Sequence, residues 1–357
     1  MALGNVTQYA AIDAHVRAMY STMLTDQEFS LLLEAPDLDS VIELLKNTAY
    51  RPYLERVNDK ELTARRAAYQ IRERLADTYT IIINAAPAQT KPLLIQLYRH
   101  FEVTNLKAVL RGVVAGSTWD QVRFLLFPFG PTGVLPAEAM IETHNVASAV
   151  ELLQGTPYYD TLSFAMKRYS AEGTLFPLEV ALDLSYWRDL WDAVKHLKGA
   201  DRNQAMRILG PYLDSTNLMW AIRYRVYHHL SEEEIVNYTL PFGYHVSDEA
   251  IRSIAAGADI SMVVASLYPD LPNIDVLLDN PASGLQELEL LLQRKVVAAC
   301  RAVFMGDPFN IGIPIGYLTL FRMEVQDLTV LFEEKATGIK VDNIRRYLMI
   351  PTAEGRQ

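Results

Sequence analysis

The chain has 357 residues, of which 50% are hydrophobic and 21% are charged, and its formal net charge is −10. These proportions are ordinary for a globular protein, and they exclude an intrinsically disordered chain. The negative charge argues against a protein whose main work is to neutralise phosphates, so no nucleic-acid partner is expected.

A lone cysteine, Cys300, excludes an intramolecular disulfide framework. No signal peptide is visible at the N-terminus, and no apolar run approaches the roughly 20 residues of a membrane-spanning helix. We therefore expect a soluble chain without a membrane span, in a reducing cytoplasmic compartment.

A short helical segment occurs twice in nearly the same form. Residues 41–50 read VIELLKNTAY and residues 149–158 read AVELLQGTPY. One such echo can arise by chance in a helical protein, so further markers must decide whether the chain is a repeat. The first marker is the tyrosine that ends each echo, at Tyr50 and Tyr158, with Tyr268 as its counterpart further along.

A long amphipathic helix is predicted after each of these segments. Residues 59–84 place apolar side chains three or four positions apart, with arginines between them, and this pattern is typical of a helix with one solvated face. The second long helix is predicted to begin at Pro177, because proline suits a first helical turn. The third runs through residues 285–299. No alternating run is long enough for a sheet, so the sequence predicts an all-α protein.

The next helix of each segment carries an acid, then an Asn-Leu or Asp-Leu pair. The acids are Glu102, Asp214 and Glu324, at spacings of 112 and 110 positions. The pairs and the prolines that close each block also recur in order; they are Asn105-Leu106, Asn217-Leu218 and Asp327-Leu328, then Pro128, Pro241 and Pro351.

The markers predict three copies of one helical module, at residues 1–128, 129–241 and 242–357. A repeat of about 110 residues is longer than the unit of a solenoid, so each copy is close to a domain with a face to bury against its neighbours. Without atypical end modules, closure around a pseudo-threefold axis leaves no such face exposed. The predicted molecule is a monomer with a central opening.

The three acids have two possible roles. Each is expected at an apolar helix start, where a carboxylate can accept backbone N–H groups or pair with an arginine of the adjoining module, such as Arg111 or Arg223. Alternatively, Glu102, Asp214 and Glu324 surround the axis and present a ring of charge to a basic partner.

Little in the sequence indicates catalysis or a cofactor. The pair His228-His229, followed by three glutamates, lacks the spacing of metal ligands, and Ser231 is predicted to cap the next helix. No P-loop pattern occurs. Cys300 lies on an apolar helix side and is predicted to be a small core residue. No metal and no cofactor are therefore expected.

The joint order of these motifs resembles a known family. The stretches YRHFEVTNLKAVLRG (98–112), LFPLEVALDLSYW (175–187) and MGDPFNIGIPIGYLTLFRMEVQDLTVLFEEKATGIKVDNIRRYL (305–348) look like the C subunit of prokaryotic V-type/A-type rotary ATPases, which is similar to the d-type subunit of the eukaryotic vacuolar enzyme. The positions that fit the family's C-terminal pattern are Gly306, Pro308, Phe309, Tyr317, Glu324, Leu328, Gly338, Ile344 and Arg345. Two departures distinguish the third copy, because Asp327 replaces an asparagine and Glu333 replaces the arginine of the other copies.

The resemblance implies a funnel-shaped, pseudo-threefold, non-catalytic subunit of the central stalk. Such a subunit lies at the cytoplasmic face of the membrane, on the rotor ring of proteolipid subunits, and receives the foot of the central shaft. It would transmit torque for coupled transport of protons or sodium ions. The residues alone leave two alternatives open, a helical scaffold or interaction protein unrelated to rotary motors and an all-helical enzyme.

Overall fold

The computed structural model describes residues 3–58, 61–130, 133–338, 344 and 348–350. Helices account for most of these residues and no β-strand occurs among them, which confirms the all-α prediction. Pro351 and Arg345 lie outside the described residues.

The helices vary from single turns to seven or more turns. In chain order they are α1 (Leu3–Tyr20), α2 (Asp26–Glu34), α3 (Leu38–Leu45), α4 (Arg51–Leu54), α5 (Ala64–Ala85), α6 (Lys91–Val114), α7 (Trp119–Val122), α8 (Ala137–Glu142), α9 (Val146–Glu151), α10 (Tyr159–Glu172), α11 (Phe176–His196), α12 (Gly199–Val226), α13 (Glu232–Asn237), α14 (Asp248–Ala255), α15 (Ile260–Leu267), α16 (Ile274–Leu277), α17 (Pro281–Ala302) and α18 (Gly312–Thr337).

The chain forms two compact units. Unit 1 comprises Met1–Tyr20, Val194–Glu324 and Asp342–Gln357, and unit 2 comprises Ser21–Ala193 and Val325–Val341. Helices α11 and α18 each contribute residues to both units. The three-module division and the closure around a pseudo-threefold axis stay predictions.

The echoed segments form short helices with the same cap. Each of α3, α9 and α15 is preceded by an Asp or Asn whose side chain accepts the backbone N–H three residues later. This bond satisfies one of the N–H groups that a helix start leaves without a partner. The capping residues are Asp37, Asn145 and Asp259.

A threonine turn after α3 and α9 explains why the echo extends to the tyrosine. The Thr48 hydroxyl donates to the carbonyl three residues before it at 2.7 Å and accepts the N–H of Tyr50 at 3.2 Å. Thr156 makes the same two contacts, at 2.7 Å and with Tyr158 at 3.3 Å. Both tyrosines are buried. The repeated sequence therefore forms the same turn twice, and each turn places a tyrosine in the core.

The long helices α5, α11 and α17 bury corresponding rows of apolar side chains. Three of them on each helix are spaced by four residues, as a single buried face requires. These are Ile71, Leu75 and Tyr79 on α5, Leu178, Leu182 and Tyr186 on α11, and Leu288, Leu292 and Val296 on α17. The predicted start of α5 at residue 59 is wrong, because Thr63 accepts the N–H of Arg66 and the helix begins at Ala64.

The prediction that the three acids stand at helix starts is also wrong. Glu102, Asp214 and Glu324 lie in the interiors of α6, α12 and α18. Helix α6 begins eleven residues before Glu102, with Pro92 in its first turn, and α12 continues through Pro211. The N–H groups of their own helices are therefore engaged within those helices, and bonds from other segments must satisfy the carboxylates.

We expect that N145A lowers the free energy of unfolding by about 0.5–2 kcal/mol, because the substitution removes the side-chain cap of α9. N145D retains an acceptor oxygen and should stay close to the unmodified protein. Chemical denaturation monitored by circular dichroism measures both. An equal loss in the two variants would contradict the capping role.

Candidate functional site

Two asparagines on the acid-bearing helices each hold one residue of a returning loop by both of its backbone groups. Asn105 donates from Nδ2 to the carbonyl of Phe127 at 2.9 Å and accepts its N–H at Oδ1 at 2.7 Å. Asn217 makes the same pair of bonds with Leu240, at 2.9 and 2.8 Å. We call each of these arrangements an asparagine clamp.

The loop residue in each clamp immediately precedes a proline. Phe127 is followed by Pro128 and Leu240 by Pro241. A residue before proline is driven away from helical geometry, so its backbone groups cannot join a helix. Both loop residues are buried, and buried backbone groups need partners. The asparagine amide supplies one acceptor and one donor, which an aspartate or a leucine at that position could not do.

Glu102 binds the chain beyond the first clamp. Its Oε1 accepts the N–H of Val134 at 3.3 Å, and its Oε2 accepts the hydroxyl of Tyr158 at 2.6 Å. Burial raises the pKa of Tyr158, and the bond to Glu102 adds to that rise because a negative phenolate would face a carboxylate. The tyrosine that ends the echo therefore acts as a hydroxyl donor to the acid of the preceding helix.

Asp214 occupies the corresponding position on α12 and binds a loop in a different way. Its two carboxylate oxygens accept the backbone N–H groups of Tyr244 and His245, each at 2.7 Å. The preceding Gly243 leaves room for this approach, since a Cβ there would lie 2.0 Å from the carbonyl oxygen of Val246 and 2.8 Å from Oδ1 of Asp214. The sequence signal for these two loops is the shared pattern of an apolar residue followed by Pro-Phe-Gly, at 127–130 and 240–243.

The electrostatics of Asp214 combine two opposing effects. Burial raises its pKa, while the backbone N–H groups of His245, Tyr244 and Val246 act to lower it. The net result is a raised pKa, because burial is the larger effect. Burial also raises the pKa of Tyr268, the third marker tyrosine, and the negative charge of Asp214 adds to that rise.

The third copy places two acids where the others have an acid and an asparagine. Glu324 and Asp327 are both buried. An ionised carboxylate accepts hydrogen bonds but cannot donate one. Asp327 therefore cannot, when ionised, form the two-way contact that Asn105 and Asn217 form.

Arg111 lies at the end of α6 and pairs with the long helix α11. Its Nε and Nη2 bind Oε1 and Oε2 of Glu179 at 2.6 and 2.8 Å, a bidentate geometry. One turn away on each helix, Lys107 pairs with Asp183 at 2.7 Å. Arg111 remains 64% exposed, so this pair contributes little to stability, within about 1 kcal/mol.

Arg223 lies at the corresponding end of α12 and pairs with Glu289 of the long helix α17 at 2.6 Å. The structure thus directs the two arginines to glutamates of the following long helices, whereas Glu102 and Asp214 bind loops. Neither Glu179 nor Glu289 was predicted from the sequence. Their only signal was an acid next to a buried leucine on each long helix.

These contacts hold loops and helices in place. Among the described residues, no group of three or more His, Cys, Asp or Glu side chains could hold a metal ion. Ser231 caps α13 with Glu234, and Cys300 is buried with its pKa raised to about 12 by burial, as predicted for a cap and a core residue.

Within the described part of the chain, no helix combines the length and apolar character that crossing a membrane requires.

We expect D214N to destabilise the protein more than E102Q does. In D214N one backbone N–H keeps an acceptor oxygen but the other faces an NH₂ group, which costs about 1–3 kcal/mol, partly offset by removal of a buried charge. In E102Q the Tyr158 hydroxyl can turn to accept from the new amide, so the loss should stay below about 1 kcal/mol. Thermal unfolding of both variants tests this order, and a larger loss for E102Q would contradict the assigned bonds.

The raised pKa of Asp214 also predicts a pH dependence. The folded state holds this proton more tightly than the unfolded state, so the stabilisation from protonation is complete below the unfolded pKa and is lost as the pH rises through the folded pKa. The stability of the unmodified protein relative to D214N should therefore increase as the pH falls from 7 towards about 4. Urea unfolding at several pH values measures the difference, and a constant difference would refute the expectation.

Comparison with known proteins places this architecture in one family. The family model described as ATP synthase (C/AC39) subunit matches residues 12–347. Relatives include the C subunit of the A-type ATP synthase of Methanocaldococcus jannaschii, 24% identical over 97% of this chain and 87% of the relative. The proteins of the same name from Methanococcoides burtonii and Archaeoglobus fulgidus are each 24% identical over 97% of this chain, and over 96% and 98% of their own lengths.

The family match covers both asparagine clamps, all three acids and both arginine pairs. It includes nearly the whole chain, and the relatives are covered over most of their lengths as well, so the likeness is not that of a shared fragment. The chain belongs to the ATP synthase (C/AC39) subunit family.

Proposed function

We propose that the chain is a non-catalytic central-stalk subunit of a V/A-type rotary ATPase. It links the rotating shaft to the proteolipid ring and transmits torque between nucleotide chemistry and ion transport. The observation that carries the proposal is the family match over residues 12–347. Relatives that are named as the C subunit of A-type ATP synthases match with coverage of nearly the whole chain, which supports it.

The hydrogen bonds of the asparagine clamps and of the neighbouring acids suit a subunit that transmits force between two partners. Each asparagine clamp binds a loop at two points, and the neighbouring acid binds the same connection again. Buried hydrogen bonds of this kind resist displacement, because breaking one leaves a buried polar group without a partner. The described residues contribute structure in this proposal, and the chemistry of ATP belongs to other subunits.

The proposed location is the cytoplasmic face of the membrane, in peripheral association with the ring. The chain acts there as one copy within a hetero-oligomeric complex. Its formal charge of −10 favours basic surfaces on the partners, and contacts between hydrated charges should weaken as salt increases. A helical scaffold unrelated to rotary motors would have no reason to bind proteolipids.

Deletion of this subunit from its complex should abolish ATP-driven ion pumping while the remaining complex still hydrolyses ATP, because the link between shaft and ring is lost. Ion uptake into inverted membrane vesicles and phosphate release measure the two activities. Restoration of the unmodified chain is the control. Pumping at the original rate without the subunit would refute torque transmission.

Affinity purification from detergent-solubilised membranes separates the proposal from the scaffold alternative. The tagged chain should retain proteolipid and shaft subunits at low salt. Purification without either of them, from membranes that contain the assembled complex, would favour the scaffold.

A further inference from the structure

A cation near the end of α12 binds the end of a short helix further along the chain. Arg225 donates from Nη1 to the carbonyl of Ile254 and from Nη2 to the carbonyl of Gly257, both at 3.1 Å. These carbonyls lie at the C-terminal end of α14, where a helix leaves its last carbonyl groups without helical partners. Arg225 therefore caps α14 from outside, and its positive charge meets the negative end of that helix.

Helix α18 makes the corresponding contact with the first short helix of the same kind. Lys335 follows Glu324 by eleven positions, as Arg225 follows Asp214. The Nζ of Lys335 donates to the carbonyl of Leu33 at 2.8 Å. Leu33 is buried in the last turn of α2. The end of the last acid-bearing helix thus binds the end of α2, and both helix ends belong to unit 2.

The first acid-bearing helix meets its short helix through apolar groups. A Cβ added at Gly112 would lie 2.7 Å from Cδ1 of Ile141, so α6 and α8 are in close contact there. Ile141 precedes the capping residue of α9 by four positions, and Leu33 precedes the capping residue of α3 by the same number. Gly112 follows the acid of α6 by ten positions, and the residue that follows the acid of α18 by ten positions is Glu334.

Glu334 is buried at the end of α18, directly before Lys335. Among the described residues, neither of its carboxylate oxygens has a hydrogen-bond partner, although the residue is only 4% exposed. A buried carboxylate without hydrogen bonds has a large desolvation cost. Burial accordingly raises the pKa of Glu334, and the charge of Lys335 opposes that rise. The end of α18 therefore contains one bond that favours the contact with α2 and one group that burial disfavours.

Chain connectivity distinguishes this contact from the other two. Arg225 and Ile254 are 29 residues apart, and Gly112 and Ile141 have the same separation in sequence. Lys335 and Leu33 are 302 residues apart. A short connection keeps two partners near each other after their contact breaks, whereas a very long one limits their separation far less. The contact of α18 with α2 is therefore the one of the three that can open most widely.

We propose that the end of α18 and the last turn of α2 form a latch with a closed and an open state. The bond from Lys335 to Leu33 holds the latch closed, and the return of Glu334 to water favours its opening. The contacts of α6 with α8 and of α12 with α14 stay closed in both states. The inference does not depend on the rotary function.

Opening of the latch has a measurable consequence at α2. This helix has nine residues, and an isolated helix of that length is not stable in water. Once it is released from α18, α2 should lose its helical hydrogen bonds, so that its amide hydrogens exchange with the solvent. Helix α14 has eight residues and is capped by Arg225, so it serves as a matched reference within the same chain.

Hydrogen exchange of the full chain, followed by mass spectrometry of peptides from α2 and α14, tests the latch. K335M should speed the exchange of α2 about tenfold, because a charged hydrogen bond is lost, and should leave α14 unchanged. K335R retains a donor and should stay close to the unmodified protein. K167M removes an exposed lysine of α10 and should affect neither helix. Unchanged exchange of α2 in K335M, or equal acceleration of α2 and α14, would overturn the latch.

E334M tests the group that opposes closure. Methionine is similar in length and carries no charge, so its burial is favourable and the exchange of α2 should slow by at least about threefold. E333M makes the same substitution at the exposed neighbour and should leave the exchange of α2 unchanged. Faster or unchanged exchange of α2 in E334M would overturn the role of Glu334, whatever K335M shows.

Discussion

The organisation of the described chain depends on how a residue before proline is accommodated in the interior. Proline removes one donor and moves its neighbour out of helical geometry, so the neighbour's N–H and C=O would be buried without partners. Asn105 and Asn217 supply both partners from a helix that is already rigid. Once the loop is fixed there, the acid three residues earlier on the helix lies close to the chain that follows. Glu102 and Asp214 can then bind that chain, each with different donors.

The sequence predicted the parts that depend on local pattern. Helical periodicity and the order of tyrosine, acid, Asn-Leu and proline were sufficient for the all-α class, and Ser231 was recognised as a cap. The partners of the acids could not be predicted, because Asn105 and Phe127 are 22 residues apart and no periodic signal connects a helix to a loop. The helix starts were misplaced for a related reason, since α12 runs through Pro211 and tertiary packing outweighs the local cost of that proline.

The third acid-bearing helix, α18, differs from α6 and α12 at two positions that make contacts in those helices. A clamp with Asp327 lacks the amide donor, and Glu333 has the opposite sign to Arg111 and Arg223.

The two kinds of contact differ in how they respond to force. Breaking an asparagine clamp leaves buried backbone groups unsatisfied, at about 1–3 kcal/mol for each group, so the loop yields only with a large loss of free energy. The ion pair of Arg111 with Glu179, in which the arginine is largely exposed, can open at a loss of about 1 kcal/mol or less. Bonds to buried acids also connect successive predicted modules, because Glu102 binds Tyr158 and Asp214 binds the backbone of Tyr244 and His245. A torque-transmitting subunit, as proposed, therefore has buried contacts both within and between these modules, with the hydrated arginine pairs beside them.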